Sequence, residues 1–193
     1  MNKLKYTILI AVIGVFTLSS CGYNSMVNKE ESVTAQWGQV QNAYQRRADL
    51  IPNLVSTVKG YASHEQETFT AVVDARARAT QINVNPEDLT EERLQQYQQA
   101  QGQLSSALGK LLMIRENYPE LKANESFLAL QDELAGTENR IAVERNRFNE
   151  NARDYNQYIR RFPHVIYAGW FGFSKKGYFE ADAGAQNAPV VNF

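Results

Sequence analysis

Large apolar residues return every three or four positions along most of this chain. The first long stretch runs Val33, Trp37, Val40, Tyr44, Arg47, Ile51, Leu54, Val58, Tyr61, Glu65, and reaches Phe69 and Val72 with one extra step. A middle stretch runs Leu94, Tyr97, Gln101, Leu104, Leu108, Leu111, Arg115. A third runs Phe127, Gln131, Leu134, Glu138, Ile141, Arg145, Phe148, Ala152, Tyr155, Ile159, Phe162. Residues at this spacing share one face of a helix, and antiparallel helices bury such faces against one another. The pattern predicts an all-α protein, an up-and-down antiparallel bundle of three to four long helices over residues 21–163. Residues 164–193 are rich in glycine and aromatics. They are expected to be non-helical, with their rings packed on the bundle, or with Trp170, Phe171 and Phe173 touching a membrane.

Prolines divide the pattern. Pro86 marks a turn, Pro119 suits the first turn of a new helix, and Pro163 stops the last one. Pro52 fits less easily. It stands inside QRRADLIPNLVSTVKGY, a stretch that otherwise reads as helix, where a proline removes a hydrogen bond and kinks or ends the helix. One unbroken helix over residues 24–83 would be about 90 Å long at 1.5 Å per residue. The helix before Pro119 is half that length, so the first helix is predicted to be kinked or broken between Asp49 and Ser63. Asp49 can cap a helix that has Pro52 in its first turn. Alternatively, Gly60 can end one helix and SHEQ, residues 63–66, can open the next as a capping box. The stripe keeps its phase through Pro52, which favours a kink over a hairpin.

The first twenty residues differ from the rest. Lys3 and Lys5 precede an apolar run over residues 6–18, shorter than the roughly 20 residues of a membrane span. LSSC follows and is similar to a bacterial lipobox, so residues 1–20 read as a lipoprotein signal peptide and Cys21 as the lipid-attachment residue. Cys21 is the sole cysteine, which excludes an intrachain disulfide. Acyl chains on Cys21 would hold the domain outside the cytoplasm, on the cell membrane or the outer membrane. Without Lys3 and Lys5, 18 basic residues face 21 acidic ones, a net charge of −3 that gives no footprint for nucleic acid.

No catalytic set is recognisable. His64 and His164 are the two histidines. His64-Glu65 lacks the second histidine of a zinc-protease helix. Tyr61 and Arg161 stand where a di-iron Glu-x-x-His pair needs Glu. No enzyme activity, metal or cofactor is expected. Charge on the apolar stripes is the unusual feature: Arg47 and Glu65 on the first, Glu138 and Arg145 on the last. Buried charges must pair or reach water. Either they form an internal network that fixes helix register, or Pro52 frees backbone carbonyls and lets Arg46, Arg47, Asp49 and Asn53 face a partner. TENR, with Glu138, Asn139 and Arg140, is the matching polar spot on the last helix.

RRADLIPNLVSTVKGYASHE, residues 46–65, and the stretch from KANESF to YIRRFP, residues 122–163, resemble the two signatures of the LemA family of bacterial envelope proteins. FGF and YFEA in the tail fit its ending. The resemblance implies an up-and-down bundle, usually of four helices. Many members carry an N-terminal membrane helix where this chain has a lipobox. The resemblance also points to membrane proteases or their regulators as partners. Two functions follow: a non-enzymatic envelope adaptor or scaffold, or a small-molecule or ion-binding lipoprotein using Arg47, Glu138 and Arg145 in the core.

Overall fold

The computed structural model describes the backbone of residues 2–180 and the side chains of residues 22–180. Six α-helices and no strand occur among the described residues: α1 (Asn2–Tyr61), α2 (Gln66–Gln81), α3 (Glu91–Met113), α4 (Pro119–Lys122), α5 (Glu125–Arg160) and α6 (His164–Ala168). The long ones, α1, α2, α3 and α5, alternate in direction. Thus the Trp37 indole of α1 donates to the Val84 carbonyl beyond the end of α2, while Asn124, before α5, donates to the Tyr61 hydroxyl at the end of α1. α1 packs along α5 and α2 along α3. No helix of the described residues is long and apolar enough to cross a membrane.

Local chemistry sets the helix starts. The Thr90 hydroxyl accepts from the Arg93 amide and caps α3, and the Asn124 side chain accepts from the Phe127 amide at 2.8 Å and caps α5. Pro119 opens α4, as its position predicts. The apolar stripes are buried and form two clusters. One gathers Trp37, Tyr44, Tyr97, Ile141, Phe148 and Tyr155. The other gathers Ile51, Leu54, Leu104, Leu108, Phe127 and Leu134.

Three details of the predicted path are corrected. α1 neither ends nor restarts at Pro52, which sits exposed inside a continuous helix. The chain reverses at 62–65 instead, beside fully buried Ala62. This break lies at the far end of the expected interval, and it resolves the length problem: α5 is about 54 Å long and residues 22–61 of α1 span about 60 Å. Gly60 stays helical, and the capping box does not form. Glu65 takes the N-cap position of α2 with no side-chain cap, and the Gln66 amide donates to the Ser63 carbonyl at 2.8 Å. Finally, the tail is not wholly non-helical, because His164–Ala168 makes one short helix, α6. Of the remainder to residue 180, Lys176 and Phe179 are buried on the bundle, whereas the Trp170 and Phe171 rings are exposed.

Candidate functional site

Pro52 has no N–H to give the Ala48 carbonyl one turn earlier, so that acceptor is orphaned within α1. Arg76 of α2 supplies the missing donor, its Nε standing 2.8 Å from the Ala48 oxygen. The carbonyl freed by the proline thus faces a neighbouring helix of the same chain.

One residue before Ala48, Arg47 turns inward and is 1% exposed. It donates to the Gln101 side-chain oxygen at 2.6 Å, the Gln101 carbonyl at 3.2 Å, the Ser105 hydroxyl at 2.6 Å and the Glu138 carboxylate at 2.8 Å. Its guanidinium lies over the Tyr44 ring. Gln101 in turn donates to the Ala79 carbonyl of α2. All four long helices meet at this clasp, which lies between the two apolar clusters. α1 passes from one cluster to the other at Arg47, α3 at Gln101 and α5 at Glu138. A slip of any helix by one turn would strand an arginine that cannot be neutralised.

A second polar link ties α1 to α5. Glu144 is 1% exposed, accepts from Gln36 at 2.7 Å, and pairs with Arg140 at 2.7 Å and Arg147 at 3.3 Å. The Gln36 hydrogen bond and the two guanidinium groups hold its carboxyl below the ordinary range against the opposing effect of burial.

The remaining predicted residues separate by the face they occupy. Arg46, Asp49, Pro52 and Asn53 are exposed on α1. Arg46 pairs with Glu133 at 2.6 Å, Asp49 accepts from Gln45, and the Asn53 carbonyl accepts from the Thr57 hydroxyl. Asn139 is also exposed. Glu65 is not part of the clasp; it stands at the turn, where the Tyr118 hydroxyl reaches it at 3.4 Å. Arg145 is not part of it either: it donates to the Glu180 carbonyl at 2.7 Å and lies over the Phe179 ring. The Cys21 side chain lies outside the described residues.

Residues 144–158 of α5 are dense in Asn and Arg, and two of the asparagine amides bind the tail. Asn156 donates to the Lys176 carbonyl and accepts from the Lys176 amide, at 2.8 and 2.9 Å. Asn149 does the same with Phe179, at 2.8 Å each way. Gln98 of α3 repeats the pairing with Glu180. Gly177 passes so close to α3 that a Cβ there would lie 2.7 Å from the Glu91 backbone. Replacing Asn149 and Asn156 together by alanine is expected to strip hydrogen-exchange protection from the Lys176 and Phe179 amides and to cost about 1–3 kcal/mol per site. Unchanged protection at those two amides would contradict the pairing.

Between α1 and α5 lies an open cleft of about 530 Å³, with Gln39, Asn42, Arg46, Glu133, Gly136 and Arg140 on its walls. Among the described residues no three metal-ligating side chains gather where they could hold an ion.

Sequence comparison finds relatives over most of the chain. The chain is 26% identical to the magnetosome protein MamQ of Magnetospirillum gryphiswaldense over 95% of its own length and 73% of that protein's. It is 24% identical to magnetosome protein MamQ 2 of Paramagnetospirillum magneticum over 99% of its length and 76% of the relative's. It is 25% identical to Protein LemA of Metamycoplasma hominis over 83% of this chain and 67% of that one. The LemA family model matches residues 36–193, which take in both polar links, the cleft and the tail, and the chain belongs to the LemA family.

Proposed function

We propose that this chain is a lipid-anchored protein of the bacterial cell envelope and acts as a non-enzymatic adaptor, presenting a polar face of α1 and α5 to another envelope protein. The apolar run over residues 6–18 and LSSC, which ends in Cys21, support the anchor. The adaptor reading rests on one observation: α1 divides the polar residues around Pro52 into two sets. Arg47 and the Ala48 carbonyl are engaged within the bundle. Gln39, Asn42, Arg46, Asp49 and Asn53 instead line one exposed stripe that borders the cleft. Helical spacing puts these five on one face. Adjoining it, α5 offers Gly136 and Arg140.

A ligand site in the core is not favoured by this geometry. Arg47 and Glu138 bond each other, and Arg145 serves the tail.

In-cell photo-crosslinking from position Asn53, with exposed Lys110 on α3 as control, tests the reading. A discrete crosslinked band from Asn53 alone is expected, and mass spectrometry then identifies the partner. Equal or absent bands from both positions would overturn the stripe as a contact face.

A further inference from the structure

One end of the molecule holds large apolar side chains turned to solvent. Phe162, Val165, Ile166, Trp170 and Phe171 are each more than half exposed, Trp170 by 82% and Phe162 by 80%. Isolated apolar residues on a surface are ordinary, whereas a cluster drawn from α6 and its flanks marks an interaction surface. The same tail buries Ala168, Lys176 and Phe179, so this segment is otherwise well packed.

The fold places the cluster at the start of the described side chains of α1. The Tyr23 ring meets Phe171 at 5.1 Å and Phe173 at 5.6 Å, both edge-on. A Cβ on Gly22 would collide with the Tyr167 hydroxyl of α6. In sequence, the apolar run of residues 6–18 immediately precedes this point. Along the sequence no acidic residue stands between Asp154 and Glu180, while Arg160, Arg161 and Lys175 are exposed; the acidic residues nearby come from other elements, Glu30 of α1 pairing with Lys176 at 2.8 Å and Glu31 and Glu87 sharing a cleft with Gly172 and Lys176.

We propose that this aromatic cap is a membrane-interface surface, with Trp170, Phe171 and Phe162 entering the headgroup layer of an anionic bilayer and Arg160 and Arg161 meeting lipid phosphates. Tryptophan favours that layer, where its apolar ring and polar N–H are both accommodated, and basic flanks add attraction to anionic lipid. The proposal rests on the reading that the chain is anchored at this same end. Two contacts, the anchor and the cap, then hold the bundle upright. At 1.5 Å per residue, Arg46 and Asn53 stand roughly 35–45 Å beyond Gly22 along α1, which places the polar stripe well clear of the lipid.

Tryptophan fluorescence tests this directly, because the chain has two tryptophans and Trp37 is fully buried. The full-length chain is reconstituted into phosphatidylethanolamine–phosphatidylglycerol vesicles carrying lipids brominated at shallow or deep acyl positions, and flotation is measured alongside. Flotation with strong quenching by the shallow bromines, weaker quenching by the deep ones, and loss of that quenching in Trp170→Ser is the expected result. Flotation with no bromine quenching, and with Trp170 open to aqueous acrylamide, would overturn the cap and leave the anchor standing. Failure to float would overturn both.

Discussion

Truncating Trp37 to alanine is expected to lower the unfolding free energy by about 4 kcal/mol, the centre of the range for a large buried aromatic. The residue is fully buried. Its ring meets Tyr97 and Phe148 edge-on at 5.2 and 5.8 Å and stacks on Phe179 at 6.1 Å. Its indole N–H satisfies the Val84 carbonyl at 3.0 Å. The substitution therefore opens a cavity among α1, α3, α5 and the tail and also orphans a carbonyl in the α2–α3 connection. Against a typical total stability of about 5–15 kcal/mol, this loss brings the domain near unfolding. Urea denaturation checks it: the midpoint should fall sharply with the slope unchanged. A drop under 1 kcal/mol would mean that Trp37 does not hold these elements together.

Glu138→Ala is expected to cost about 3 kcal/mol, more than the carboxylate's own exposure suggests, because it leaves the buried Arg47 guanidinium without a counter-charge. Water can reach the vacated position, since the Glu138 side chain is 41% exposed, and that keeps the cost at the lower end for broken buried pairs. Arg47→Met removes the charge itself and should cost less, about 1–2 kcal/mol, mainly for the stranded Gln101 amide. Glu133→Ala breaks the Arg46 pair, both partners of which are exposed, and should change stability by under about 0.5 kcal/mol. Thermal or chemical unfolding of the three variants gives the order. Were Glu138 held for a ligand instead of for Arg47, its removal would leave stability unchanged or raise it.

The apolar spacing made most of the fold legible, since the stripes of α1, α3 and α5 are the faces that the bundle buries. The clasp was legible too, in part: Arg47, Gln101 and Glu138 all interrupt those stripes, and the structure brings the three together. Arg145 interrupts one as well but reaches the tail, because periodicity fixes the face of a residue and not the element that covers it. Arg76 and Glu144 carried no such signal. Arg76 serves a carbonyl that is orphaned twenty-eight positions earlier. Glu144 lies one turn from Ile141 and Phe148, where a single stripe takes only one of two adjacent positions. Asn149 and Asn156 were legible only as composition, since pairing a side-chain amide with a distant extended backbone leaves no periodic trace. Pro52 misled in one respect, for the clash and lost hydrogen bond that normally break a helix are local, whereas the donor that compensates comes from α2.

The bundle closes from within the opening that Pro52 makes, with Arg76 on the freed Ala48 carbonyl. A double-mutant cycle between Pro52→Ala and Arg76→Leu tests it. With proline at 52, losing Arg76 orphans the carbonyl and should cost about 1–3 kcal/mol. With alanine at 52 the helix supplies its own donor, and losing Arg76 should cost little. A coupling of about 1 kcal/mol or more is the predicted result, and additivity of the two substitutions to within about 0.3 kcal/mol would contradict it.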